Sequence, residues 1–202
     1  MLSRWTRLYC AIGVGVLALA IIVGGWLAEN RSTPAVGAPR PSPLQEMQFN
    51  LITDDGQVVG PDSLIGQPSI VFFGFTFCPD VCPTTLSDIS GWLDELGTEA
   101  EQLNVVFITV DPERDDVEAI NGYLESFHPA ILGWTGSPPE IARAAAGFGV
   151  VYQRVPLEGG TYTMNHTASV LLYGTDGSFV GTIDYHEQPE TAVPKIRRLL
   201  QS

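Results

Sequence analysis

Three patterns of apolar and polar positions follow one another along the chain. From Leu8 to Ala28 the sequence LYCAIGVGVLALAIIVGGWLA carries no charge over 21 residues. At about 1.5 Å of rise per residue such a run spans roughly 30 Å, the depth of a bilayer's hydrocarbon core. It predicts a single-pass transmembrane helix within residues 1–28. Residues 29–44, ENRSTPAVGAPRPSPL, hold four prolines in 16 positions without apolar periodicity, which marks an extended linker with a reach of roughly 50 Å at about 3.1 Å per residue. From residue 45 to 202, short β-branched runs alternate with helical periodicity, and these predict one folded domain.

Within that domain Asp54-Asp55-Gly56 is a turn signal between Met47–Thr53 and Gln57–Val59, which predicts a hairpin. Ser69 to Phe75, SIVFFGF, is continuously apolar, as is Leu103 to Val110; both read as buried central strands. Leu86, Ile89, Leu93 and Leu96 recur at helical spacing, and so do Val117, Ile120, Tyr123, Leu124 and Phe127. A strand near Ile131 to Trp134 precedes a helix over Pro138 to Phe148. Val150 to Val155 extends, Thr175-Asp176-Gly177 joins Ser169–Tyr173 to Phe179–Asp184 as a hairpin, and a last helix runs from Glu190 to Leu200. Strands with crossover helices followed by an antiparallel hairpin and a helix describe an α/β fold of thioredoxin-like layering.

Charge adds orientation and excludes a partner class. Arg4 and Arg7 precede the apolar run and Glu29 follows it, which keeps the N-terminus in the cytoplasm and places the domain on the periplasmic or extracytoplasmic side. A cleaved signal peptide competes with this reading, but its apolar region is shorter, about 7–15 residues, and the small residues Val36 and Ala38 lie well past the run. The first 40 residues hold four basic residues and one acid, so the rest hold 6 basic and 22 acidic residues, net −16. Such a field repels phosphate backbones, and nucleic acid is excluded as a partner.

Cys10 falls inside the apolar run, where a thiol behaves as a small hydrophobe. The other two cysteines lie in Phe73-Gly74-Phe75-Thr76-Phe77-Cys78-Pro79-Asp80-Val81-Cys82-Pro83, between a buried strand and a helix. Pro83 suits a first helical position and disfavours helical geometry at Cys82, so Cys82 is expected at the N-cap, its sulfur facing unpaired amides that favour thiolate. Two cysteines between prolines at such a corner form either a redox disulfide, Cys78–Cys82, or a two-thiolate metal site. Soft thiolates select Cu(I). Candidates for a further ligand are His128, His166, His186, Met47 and Met164. His166 reads as a strand-edge loop residue just ahead of an apolar hairpin strand, whereas His128 ends a helix and His186 sits in a polar loop. Asp111-Pro112-Glu113-Arg114 reads as a helix start, with Asp111 as N-cap and Pro112 in the first position; Phe77 reads as core and Tyr162 as a flank of the metal loop.

The string GFTFCPDVCP, the later Val110-Asp111-Pro112-Glu113-Arg114-Asp115, and Asn165-His166-Thr167 ahead of Gly174-Thr175-Asp176-Gly177 together resemble the Sco/SenC copper proteins, from about Phe49 to Arg198. The resemblance implies a thioredoxin fold that binds one copper ion, Cu(I) and in some settings Cu(II), on Cys78, Cys82 and His166, as a metallochaperone with no catalytic residue. It further implies delivery of copper to, or reduction of cysteines at, the dinuclear copper site of cytochrome c oxidase subunit II. A copper donor chaperone and a thioredoxin-like reductant are the implied partners. One departure is Asn165, where the family often carries Asp.

Two other classes use the same cysteines: a thiol-disulfide oxidoreductase and a redox or copper sensor. A Cu(I) site gains from the third ligand His166, and a dithiol reductant has less need of one. Val81-Cys82-Pro83-Thr84 also resembles the cysteine neighbourhood of peroxiredoxins, but that family's threonine three residues before the cysteine is Pro79 here.

Overall fold

The computed structural model describes residues 40–201. The expected transmembrane run and most of the linker lie outside them, as does Cys10; among the described residues no helix is long and apolar enough to cross a membrane. The end of the proline-rich stretch belongs to the folded domain: Ser42 N–H donates to the Gly147 carbonyl and Leu44 N–H to that of Gly177, each at 2.8–2.9 Å, and Leu44 is fully buried.

A seven-stranded mixed sheet forms the middle layer. Its strands are β1 (Leu51–Thr53), β2 (Val58–Val59), β3 (Ser69–Gly74), β4 (Asn104–Thr109), β5 (Ile131–Thr135), β8 (Val170–Tyr173) and β9 (Phe179–Ile183), in the order β2-β1-β5-β4-β3-β8-β9. β3, β4 and β5 run parallel, with Ser69 opposite Asn104 and Val105 opposite Ile131, while β8 joins β3 antiparallel. Every residue of β3 is buried, because a strand with neighbours on both edges and layers on both faces needs apolar side chains on each. The remaining strands, β6 (Tyr152–Pro156) and β7 (Tyr162–His166), pair only with each other as a separate hairpin.

Successive residues of β3 send their rings to opposite faces. Phe73 packs with Phe148, which meets Phe49 and Tyr173; Phe72 packs with Phe107, which meets Tyr123 and then Phe127. Burying each such ring contributes about 1.5–3 kcal/mol relative to leaving it in water, so the two aromatic clusters fix the register of the central strand from both sides. Helices α1 (Val81–Leu96), α2 (Val117–Leu124), α3 (Pro138–Gly147) and α4 (Pro189–Leu199) complete the layers.

The second helix lies close to the sheet because Gly133 in β5 has no side chain. A Cβ there would sit 2.1 Å from Ile120 Cγ2 and 2.8 Å from Leu124 Cδ1. Gly133→Ala is therefore expected to destabilise the domain by about 1–3 kcal/mol through overpacking, read as a lowered urea midpoint. An unchanged midpoint would show that the helix retreats without cost.

Two expectations are corrected. Asp111 caps no helix: Asp116 does, its side chain accepting from Ala119 N–H at 2.8 Å, and Asp111 instead opens a tight turn in which Arg114 N–H bonds to its carbonyl at 3.0 Å. Phe77 is 62% exposed and belongs to the surface rather than the core.

Candidate metal centre

The parallel strands deliver three chain ends to one edge of the sheet. β3 ends at Gly74 and runs into the cysteine loop, β4 ends at Thr109 ahead of the Asp111 turn, and β5 ends at Thr135. Carboxyl ends of parallel strands are where α/β sheets place their sites, since the loops there diverge and leave room. One buried residue, Asp115, ties the three together, two through its carboxylate and the third through its backbone carbonyl. Asp115 accepts from Thr76 N–H at 3.0 Å, Thr76 Oγ1 at 2.5 Å and Thr109 Oγ1 at 2.6 Å, and its carbonyl accepts from Thr135 Oγ1 at 2.7 Å.

Helix α1 begins at Val81, with Asp80 as N-cap residue making no side-chain cap bond. A helix start leaves backbone N–H groups without partners. The Cys82 N–H finds one in the Cys78 sulfur, at 3.3 Å. Thus Cys78 does the capping, and it is Cys78, not Cys82, whose thiolate the helix end favours. The Cys78 thiol is lowered to about 4, by a hydrogen bond from the Cys82 side chain first, with His166 and the backbone groups of Asp80 and Cys82 adding to it and partial burial opposing. Cys82 moves the opposite way, upward, because its proton is held by Cys78 and because it is buried; the charges of Cys78 and Asp115 add to this. The two side chains thus pull each other's acidity apart, Cys78 toward thiolate and Cys82 toward thiol.

That asymmetry gives a measurable pH profile. Since the Cys78 value lies below neutrality, its alkylation by iodoacetamide in the reduced full-length chain is expected to be flat from pH 6 to 8 and to fall as the pH drops through about 4. Fully buried Cys82 should stay unmodified in the folded state. A rate rising about tenfold per pH unit between 6 and 8, as for an ordinary thiol with a pKa of about 8.5, would rule the arrangement out.

His166 arrives from the other side, as the last residue of β7 rather than in a loop. Its Nε2 lies 3.3 Å from Cys82 Sγ, and its Nδ1 is 2.9 Å from the Thr167 carbonyl. A carbonyl can only accept, so Nδ1 carries a hydrogen, and Nε2, when it carries none, presents its lone pair to the sulfurs. Phe72 and Phe75 meet the imidazole with their rings at 6.2 and 5.9 Å between centroids. Asn165 is exposed on the opposite side of the strand from His166 and Met164. The imidazole is thus oriented by backbone, whichever of Asn or Asp precedes it. Gly74 leaves space beneath: a Cβ there would lie 3.0 Å from Cys82 Sγ and 2.7 Å from Phe107 Cε2.

The ligand atoms of Cys78, Cys82 and His166 all lie within 4.8 Å of one another, and among the described residues they form the one group of three or more such side chains able to hold a metal ion. Two sulfurs and an imidazole nitrogen are a soft donor set, suited to Cu(I) more than to hard cations. The other candidates lie elsewhere. His128 Nδ1 accepts from Ala130 N–H, with Nε2 3.8 Å from Asp94. His186 is exposed against Tyr185, and Met164 is buried under the β6–β7 hairpin.

A family model described as SCO1/SenC matches residues 37–201. The chain belongs to the SCO1/SenC family. It is 40% identical over 134 residues to the mitochondrial protein SCO1 homolog 1 of Arabidopsis thaliana, covering 65% of this chain and 40% of that one, and 35% identical over 182 residues to the mitochondrial SCO2 homolog of Mus musculus, covering 86% and 71%. The chain therefore spans less than half the length of the Arabidopsis relative. Among solved structures it is similar to Bradyrhizobium japonicum ScoI with copper bound, at 41% identity and TM-score 0.72 over 80% of this chain and 99% of that one. Yeast Sco1 with copper bound gives 32% identity and TM-score 0.72 over 81% and 89%. The thioredoxin-like layering expected from the sequence is the Sco fold.

Sequence reasoning passed over Arg114 in this SCO1/SenC site. Its Nε donates to Asp111 Oδ2 at 2.5 Å and its Nη1 to the Tyr162 carbonyl at 3.1 Å. The guanidinium lies over three rings, 3.8 Å from the Tyr162 centroid, 4.6 Å from Phe77 and 5.9 Å from Phe75. Aromatic positions flanking both the cysteine motif and the histidine strand were the available signal for a cation between them.

Proposed function

We propose that this chain is a membrane-tethered copper carrier that binds one Cu(I) through Cys78, Cys82 and His166 and delivers it to the dinuclear copper site of cytochrome c oxidase subunit II. The observation that carries the reading is the convergence of two sulfurs and one lone-pair nitrogen within 4.8 Å from sequence positions up to 88 residues apart. Bound copper in the similar Bradyrhizobium and yeast proteins supports it. Copper is cargo here. Cys78 binds first as the ready thiolate, Cys82 gives up its proton as it joins, and His166 closes a three-coordinate shell that incoming target ligands can open one donor at a time. A donor chaperone supplies the copper.

Titration of the reduced full-length chain with Cu(I) under argon, in competition with a Cu(I) chelator, tests this. One equivalent bound, with two sulfurs and one nitrogen in the X-ray absorption first shell, is expected. A stoichiometry of zero, or a shell without nitrogen, would remove the three-ligand reading. The tether, with the domain on the extracytoplasmic side of the cytoplasmic membrane, predicts that a high-salt wash leaves the protein in the membrane fraction; release by salt would overturn it.

The unequal cysteines favour a second reading, reduction of the same target's cysteines. The Cys78 thiolate attacks a target disulfide and expels one target sulfur as thiolate; Cys82 then loses its proton, attacks the Cys78 sulfur and releases the second. The pair is oxidised by two electrons to Cys78–Cys82, the target gains them, and a thioredoxin-like dithiol resets the pair.

A further inference from the structure

We infer that Arg114 is the positioning residue that ties the His166 hairpin to the cysteine loop and so sets the third ligand against the two sulfurs. The inference rests on the reading of His166 as a metal ligand. Among the described residues the hairpin has no strand partner in the main sheet: β6 and β7 pair only with each other. Its docking beside the site therefore depends on side chains: Met164 is buried in the core, His166 meets Phe72 and Phe75, and the polar contacts gather around Tyr162, four residues before His166 on the same strand.

Tyr162 Oη donates to Asp111 Oδ1 at 2.9 Å, and the Tyr162 carbonyl accepts from Arg114 Nη1. Arg154, from the partner strand, lies 3.5 Å from the same ring centroid and pairs with Glu113 at 2.9 Å. Two guanidinium groups this close to one centroid must take opposite faces, so the ring is clamped between Arg114 and Arg154. The clamp bridges the Asp111 turn and the hairpin. Only Arg114 also reaches the cysteine loop, over Phe75 and Phe77, the latter adjoining Cys78. One planar cation thus touches both halves of the metal centre without touching a ligand atom.

Beside the clamp a cleft of about 190 Å³ remains between Asp111, Pro112, Glu113, Pro138, Arg154 and Met164, so on this side the ionic and stacking contacts of Arg114 and Arg154 add to the hold that buried Met164 supplies.

Arg114→Lys keeps the charge and the stem but loses the fork and the planar stack. In the full-length chain it is expected to weaken Cu(I) binding about tenfold, the scale for residues that orient a ligand, and to lower the nitrogen contribution to the X-ray absorption shell. In a His166→Ala background the same substitution should change affinity by less than about twofold, because its effect runs through the imidazole. Equal losses in both backgrounds, or none in either, would overturn the inference.

A copper-free readout decides it separately. The chain has three methionines, so a ¹³C-methyl spectrum is simple, and Arg114→Lys should add relaxation dispersion at the buried Met164 methyl while leaving Met47 unchanged. Unaltered Met164 dispersion sinks the tie between Arg114 and the hairpin. A wild-type chain that bound no copper would sink the functional reading and leave the Met164 result standing.

Discussion

Cys78→Ser and Cys82→Ser are each expected to reduce Cu(I) binding below detection, while His166→Ala weakens it by about 100-fold or more and leaves the disulfide chemistry of the pair intact. Cu(I) draws most of its binding from thiolate, and loss of one sulfur leaves a two-ligand site with a hydroxyl that the ion does not favour. The imidazole completes the shell, and since residues that merely orient a ligand are worth about 10–100-fold, removing the ligand itself costs no less. Copper loading should also release about one proton at neutral pH. Cys78 is already thiolate, and only the proton held by Cys82 has to leave. Competition titrations of the three variants, with proton release followed in weak buffer, check both statements. Release of two protons would mean that Cys78 is not already a thiolate. A His166→Ala variant that bound as tightly as wild type while its disulfide was reduced more slowly would transfer the assignment to the oxidoreductase reading.

Formation of the Cys78–Cys82 disulfide consumes both thiolates at once, so oxidised protein should take up no Cu(I) until a dithiol is added. The pair is free in this structure.

The sheet was legible because its central strands bury both faces. SIVFFG and NVVFIT admit no helical reading once bounded by turns. β7 was not legible: in Tyr162–His166 only Met164 is buried, so no apolar period marks the strand, and His166 read as a loop residue. The two cysteines that the motif singled out lie together with His166, and the helix start faces Cys78 rather than Cys82. Pro83 was taken to start the helix next to Cys82, yet Pro is also tolerated later in the first turn, where N–H groups are unpaired anyway. The helix begins one residue earlier than Cys82, which leaves the Cys82 N–H free to point at Cys78. Asp111-Pro112 failed for a similar reason: Asp at the first and Pro at the second position suit a type I turn as well as a helix start. What no pattern in the chain reveals is the convergence across 84 residues of Cys82 and His166, which only the fold supplies; the family resemblance pointed to it.

Asp115→Ala is expected to be among the most damaging single changes in the domain, and Asp115→Asn much less so. The carboxylate is fully buried, and burial pushes it above its ordinary value while hydrogen bonds from Thr109 and Thr76 oppose this. Alanine would leave Thr76 N–H, Thr76 Oγ1 and Thr109 Oγ1 without their acceptor, each at about 1–3 kcal/mol where no water or rearrangement intervenes. A total loss of about 3 kcal/mol or more follows, which for a domain of this size lowers the melting temperature by roughly 6–12 °C. The cysteine loop should loosen with it, since Thr76 lies two residues before Cys78. Asparagine offers one oxygen in the place of Oδ2, where both Thr76 N–H and Thr109 Oγ1 arrive, and an NH₂ in the place of Oδ1, toward which the Thr76 hydroxyl can rotate and accept. Geometry is then kept and only charge is lost. If the two variants melted at the same reduced temperature, the negative charge rather than the pattern of acceptors would be what braces the ends of β3 and β4.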